Sequence, residues 1–340
     1  MASLPADDFV MQPAPPRRSG RLPGLDALRG IAALAVLCYH ASGHFGGGAP
    51  TIFAKGYLAV DFFFMLSGYV MARTYERRMA QGLAPARFLW ARYRRLWPVM
   101  AVGAVLGVPL LTNEIGRHEW LAAIALANLL LVPVLVGRLI FPVNAAAWSI
   151  LFELGANLVH GVVLWRLRTR TLALVAATAL AATMWASVAH GAFDIGARPE
   201  NVLGGIPRAM LSYTLGIVLW RRWRDRPPIA VPPVASFLAM PVFLLVTDFA
   251  DPRSIPIDVA FVVLVCPTMI AGALAYQGMG SVARWSGLLS FPLYAVHMPL
   301  LHWAKEWGLC AIAGMTLALV VAGAMTLWMN RTAGFKTAPA

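Results

Sequence analysis

Apolar residues run along this chain in long unbroken stretches, separated by short polar segments rich in arginine. Eleven such runs stand out: Leu25–His40, Tyr57–Ala72, Leu96–Leu111, Trp120–Val136, Ala147–Trp165, Thr171–His190, Ile206–Trp220, Pro233–Thr247, Ile257–Tyr276, Leu289–Trp303 and Leu309–Met329. Crossing a bilayer as a helix takes ~20 such residues. Lipid offers the backbone no hydrogen-bond partners, so only helices and closed barrels span it. A barrel would show short alternating strands. The continuous runs Thr171–His190 and Leu309–Met329 predict helices instead. The expected fold class is therefore all-α, a polytopic transmembrane helical bundle.

Composition agrees. Hydrophobic residues make up 59% of the 340 and charged residues 13%, where a soluble domain carries roughly a quarter charged. The net charge of +13 would suggest nucleic acid, but the arginines sit between apolar runs, where orientation signals belong. No nucleic-acid partner is expected. If all eleven runs crossed, the cationic residues would divide almost evenly between the two sides. If Trp120–Val136, which carries Asn128 and Pro133, stays partial or re-entrant, 20 of the 28 Lys+Arg face the cytoplasm and 7 face out, with Arg29 inside the first helix. This distribution favours about ten spans plus one partial helix, in a bacterial inner membrane, with both termini cytoplasmic. Residues 1–22 lack the apolar core of a signal peptide and read as a disordered cytoplasmic tail. The membrane domain follows over 23–330 and a short cytoplasmic tail over 331–340. Cys38, Cys266 and Cys310 lie in apolar runs with no metal or redox spacing, so no metal is expected.

Ionisable groups inside spans are costly and mark functional sites by default. Arg29 and His40 share the first run. Their eleven-residue spacing puts them within about 20° of one face and roughly 16 Å apart along the axis. Asp61 opens the second run, followed by Ser67-Gly68. Arg92 and Arg95 precede the third. Trp148 and Glu153 enter the fifth, and Tyr294 and His297 lie among the prolines of the tenth. Each has an ordinary structural reading too: a capping Asp61, a snorkelling Arg29, close packing at Ser67-Gly68, or a packed His297. A buried Glu153 demands a partner or a proton.

Together these blocks resemble the acyltransferase-3 family of integral-membrane acyltransferases. The resemblance rests on Arg29 to His40 spaced as Arg-x10-His, Asp61-x-Phe-Phe-x-Leu-Ser67-Gly68, Arg92-x-x-Arg95, Trp148-Ser149 with Glu153, and Tyr294-x-x-His297-x-Pro299. The five blocks fall in family order along the chain. Where members of the family often carry a second Glu and aromatics after the first, this chain has Leu154-Gly-Ala-Asn157, which bears on the acceptor more than on the chemistry. Longer members append an extracytoplasmic SGNH-type domain. This chain ends at Ala340, so its reaction is expected to finish within the membrane domain or on another protein.

The resemblance implies an acyltransferase that takes acyl groups, foremost acetyl, from cytoplasmic acyl-CoA as co-substrate, with no tightly bound cofactor. The acceptor would be a hydroxyl of an extracytoplasmic glycan or glycolipid. Arg29, Arg92 and Arg95 would hold CoA. His40 would be the base, oriented by Glu153 or Asp61, with Ser67, Trp148, Tyr294 and His297 as further site candidates. Membrane lipid is the other partner, and a homo-oligomer is open. The alternative is a proton-coupled transporter or exporter of a lipid-linked glycan, in which His and Glu form a relay.

Overall fold

The computed structural model describes residues 21–46, 53–112, 118–135, 137–249, 254–278 and 280–335. Most of the two terminal tails expected from the sequence, 1–20 and 336–340, lies outside the described residues.

Among the described residues the regular structure is helical throughout. The main helices are α1 (Pro23–Phe45), α2 (Leu58–Ala80), α3 (Pro85–Gly107), α4 (Leu121–Leu129), α5 (Ala147–Val162), α6 (Thr169–His190), α7 (Val202–Trp223), α8 (Pro233–Thr247), α9 (Ile255–Ala275), α10 (Gly280–Glu306) and α11 (Ala311–Phe335). Five of them, those at 23–45, 169–190, 199–223, 255–275 and 311–331, are long and apolar enough to cross a membrane by length and composition. Outward positions are apolar: Leu174, Trp185, Leu203, Ile312 and Val320 are all more than 60% exposed. Such a belt suits lipid and not water. The chain is a helical membrane bundle.

The expected partial helix shrinks to nine residues. At 1.5 Å per residue α4 is about 14 Å long, half of a bilayer's hydrocarbon core. It ends at Leu129, two residues before Leu131, whose φ is 61°, and Asn128 accepts a hydrogen bond from the Val143 N–H to tie the following segment back. The polar stretch 73–95 between the second and third apolar runs is mostly helix. α2 continues to Ala80 and α3 starts at Pro85, because Pro at a helix start loses no needed N–H.

Helix crossings are set by glycines. A Cβ on Gly68 of α2 would sit 2.0 Å from the Tyr213 carbonyl oxygen of α7, and one on Gly216 of α7 would sit 2.0 Å from the Met65 oxygen of α2. The two backbones therefore touch, the small-residue packing expected where lipid gives helices no hydrophobic drive to associate. Gly103 does the same for α3 against Ala295 of α10. α9 widens into a π segment over Phe261–Val265 just before Pro267, which has no N–H to give to the helical ladder.

Three arginine-bearing segments meet at one end of the bundle. Arg221 of α7 donates to both carboxylate oxygens of Glu76 on α2, at 3.0 and 3.1 Å. It also donates to the carbonyls of Leu164, Trp165 and Leu167 beyond α5. Arg73 pairs with Asp225 at 2.9 Å. The far ends of α1 and α10 and the starts of α2, α7 and α9 meet at the opposite end.

Candidate active site

α1 packs along α10, and α10 along α3. Near the C-terminal end of α1, His40 meets His297. His297 Nε2 lies 3.1 Å from His40 Nδ1, with ring centroids 5.0 Å apart. The neighbours assign the tautomers. His297 Nδ1 faces the carbonyls of Leu293 and Tyr294 at 3.2 and 2.8 Å, so that nitrogen carries the hydrogen and Nε2 accepts. His40 Nδ1 faces the Val36 carbonyl at 3.0 Å, so it donates, to Val36 and His297 together. His40 Nε2 then keeps its lone pair and meets no partner among the described residues. A ring held through one nitrogen, with the other open, is how a general base is presented. His297 is 1% exposed, while His40 is half-buried, so His40 is the more accessible ring. Further out on the same helices His44 faces His302, centroids 6.1 Å apart. His302 pairs with Glu306 at 3.6 Å.

His297 thus takes the orienting position that Glu153 or Asp61 was expected to fill. Glu153 Oε1 accepts from Ser67 Oγ at 2.8 Å and Arg92 Nη2 at 3.1 Å. This is the partner a buried carboxylate requires, and it binds Glu153 to the arginine end of the site. Arg29 and Arg95 lie close enough to feel both Arg92 and Glu153. Arg29 also reaches Asp26 at 3.5 Å. Arg92 and Arg95 do not form a matched pair of forks. Arg92 is buried, with its Nε unpartnered, whereas Arg95 is exposed. Arg29, Arg92 and Arg95 against Glu153 and an Asp26 that is shared with Arg21 leave a net positive group that suits phosphate.

Asp61 is buried four residues past the N-cap Tyr57, so it does not cap α2. It binds Arg208 of α7 through both oxygens, with Arg208 Nη2 at 2.8 Å and Nε at 3.2 Å. Both side chains are fully buried. The guanidinium also lies over the rings of Trp148, Tyr57 and Phe193 at 5.3–5.6 Å, which assigns Trp148 to this cage. Tyr294 shares a 2.6 Å hydrogen bond with Ser149 and donates to the Ala146 carbonyl, which fixes α10 beside the start of α5.

Sequence reasoning passed over Arg208 although it sits inside the run Ile206–Trp220, and an ionisable group in a span is the signal that finds it. The same holds for His160, buried in α5 between Tyr213 and Glu76. It holds too for Asp258, paired with Lys55 at 2.6 Å with both side chains fully buried.

The family model described as an acyltransferase domain, acyltransferase-3, matches residues 22–329. The chain belongs to the acyltransferase-3 family. It is 34% identical over 155 residues to "Protein 2 in picA locus" of Rhizobium radiobacter, an overlap of 40% of this chain and 78% of that protein. It is also 34% identical over 91 residues to the peptidoglycan O-acetyltransferase OatA of Listeria monocytogenes, covering 26% of this chain and only 13% of that protein. No solved structure matches the chain. Family membership makes this protein an acyltransferase.

Proposed function

We propose that this acyltransferase moves an acyl group, foremost acetyl, from cytoplasmic acyl-CoA to a hydroxyl of an extracytoplasmic glycan or glycolipid. The observation that carries the reading is the open Nε2 of His40, on the same helix as Arg29 but roughly 16 Å further along it. The basic group of Arg29, Arg92 and Arg95 suits the CoA phosphates at one end, and an imidazole base waits at the other. The peptidoglycan O-acetyltransferase relative supports a cell-wall glycan as acceptor and acetyl as the group moved.

The orientation follows the arginines. The contacts of Arg221 with Glu76 and with the segment after α5 favour the arrangement with 73–95, 166–170 and 221–226 on one side, the cytoplasm of an inner-membrane protein. That arrangement carries ten spans and both termini inside.

In the reaction, His40 Nε2 takes the proton of the acceptor hydroxyl while its oxygen attacks the thioester carbonyl. The C–S bond breaks, CoA leaves as thiolate, and the imidazolium returns its proton to the sulfur. Atoms and charge balance without a further reactant. Transfer by way of an acyl-His40 uses the same nitrogen as nucleophile. The test is transfer of labelled acetyl from acetyl-CoA by the purified chain in proteoliposomes. His40→Ala is expected to lose 10²–10⁴-fold, the usual worth of a positioned base. A correctly inserted His40→Ala protein with parental activity would overturn the assignment.

A further inference from the structure

Asp61 and Trp148 belong to motifs that the candidate base leaves unexplained, and both are bound to Arg208. Arg208 carries the connection outward. Its Nη1 donates to Asp194 Oδ1 at 3.2 Å and to the Ile195 carbonyl at 3.1 Å. Asp194 Oδ2 accepts the hydroxyl of Tyr39 at 3.2 Å. Tyr39 precedes His40 in the chain, and their rings lie 4.8 Å apart. A line of direct contacts therefore runs from the buried Asp61 through Arg208, Asp194 and Tyr39 to the base.

Asp194 also lines a cavity of about 430 Å³, with His190, Arg198 and Asn201. At Arg198 this cavity adjoins a second one of about 600 Å³ bounded by Arg138 and Glu200. Each falls within the volume of ordinary ligand sites. The segment that forms them is fixed on several sides. Phe193 is fully buried against Arg208. Gly196, at φ 120°, lies where a Cβ would strike Trp148 at 2.8 Å. The Asn201 side chain accepts from the N–H groups of Gly196 and Arg198 at 2.9 and 3.1 Å. The Ile140 N–H donates to the Ala197 carbonyl.

The chemistry of this cleft is that of a polyol site. A carboxylate offers about four acceptor positions. Arg208 and Tyr39 occupy two of them on Asp194, and its side chain is 39% exposed, so the remainder are available to a ligand. Arg138 and Arg198 are matched by Asp194 and Glu200, so an anion gains no net attraction, whereas hydroxyl groups find both donors and acceptors. We propose that this cleft is the acceptor subsite and binds an uncharged sugar through its hydroxyls, with Asp194 accepting and Arg198 donating. Asp61 and Arg208 are positioning residues that hold Asp194 in place, and Tyr39 connects the subsite to His40. This inference rests on the glycan acyl transfer proposed above.

The full chain in proteoliposomes is given labelled acetyl-CoA and the methyl glycosides of glucose, N-acetylglucosamine and galacturonic acid. Asp194→Asn is expected to raise the KM for a neutral glycoside roughly tenfold or more, the worth of a hydrogen bond to a charged group, while the KM for acetyl-CoA stays parental. Arg198→Gln, at a side chain 64% exposed, tests the same subsite without touching the buried ion pairs and is expected to raise the same KM. Parental sugar KM in both variants overturns the subsite and leaves the acyl transfer standing. Acetylation of the galacturonoside alone overturns the uncharged-sugar reading. Hydrolysis of acetyl-CoA with acetylation of none of the three overturns the proposed function itself.

Discussion

Replacing His297 separates the two histidines by magnitude. In the structure His297 acts on His40 through one contact, at 3.1 Å, and His40 Nδ1 keeps a second acceptor, the Val36 carbonyl at 3.0 Å. His297→Leu thus removes one neutral hydrogen bond and leaves its partner satisfied. Such a bond is worth about 0.5–1.5 kcal/mol, or roughly a two- to twelvefold fall in kcat at 1.36 kcal/mol per tenfold. His40→Ala removes the base itself and is expected to cost 10²–10⁴-fold. His297→Gln restores an acceptor and is expected to recover part of the difference. The assay is the initial rate of acetyl transfer at saturating acetyl-CoA, with insertion and thermal stability of each variant measured alongside. If a well-folded His297→Leu protein falls as far as His40→Ala does, His297 is itself a reacting group, and the assignment of the open nitrogen to His40 is wrong.

The remaining predictions concern what holds the site. Arg208→Met strands the fully buried Asp61 and is expected to cost about 3–5 kcal/mol, read as a lowered Tm in detergent, with Arg208→Met/Asp61→Leu recovering most of the loss; a single variant as stable as the parent would contradict the buried pair. Arg92→Gln leaves Glu153 with Ser67 as its remaining partner and is expected to lower stability, whereas Arg95→Gln is expected to raise the KM for acetyl-CoA at parental stability. Equal effects of the two on stability would show that the division between buried Arg92 and exposed Arg95 has no consequence. Gly68→Val puts side-chain atoms where a Cβ alone already lies 2.0 Å from the Tyr213 oxygen, and loss of folded protein on size-exclusion chromatography is the expected outcome.

Much of this architecture is legible in the sequence because lipid enforces simple rules. Continuous apolar runs gave helices, and the charge distribution singled out Trp120–Val136, where α4 is nine residues long. The blocks around His40, Glu153 and His297 were recognisable as polar residues in apolar surroundings. Their pairing was not. Spacing along α1 relates Arg29 to His40, but nothing in spacing says that α10 lies against α1, so His297 could not be assigned to His40 nor Glu153 to Arg92. Arg208 escaped for the opposite reason. Its neighbours Ile206 and Pro207 resemble a span start, and its importance lies in Asp61, 147 residues away.

The two ionic centres of this bundle differ in a way that bears on their use. Asp61 and Arg208 satisfy one another bidentately, and aromatic rings close over the guanidinium. A charge so enclosed can hold a neighbour in place but cannot take up a proton or a phosphate without breaking its own pairing. The group at Arg92 is less complete. Glu153 and Asp26 do not balance the surrounding arginines, Arg92 Nε is buried without a partner, and Arg95 is open to its surroundings. An unbalanced cationic site gains by binding an anion, whereas a balanced pair gains only by staying shut. The physical asymmetry therefore suits the first centre to the positioning task, and the second to the ligand, proposed for them above. Between them, His40 is the half-buried ring with a free lone pair.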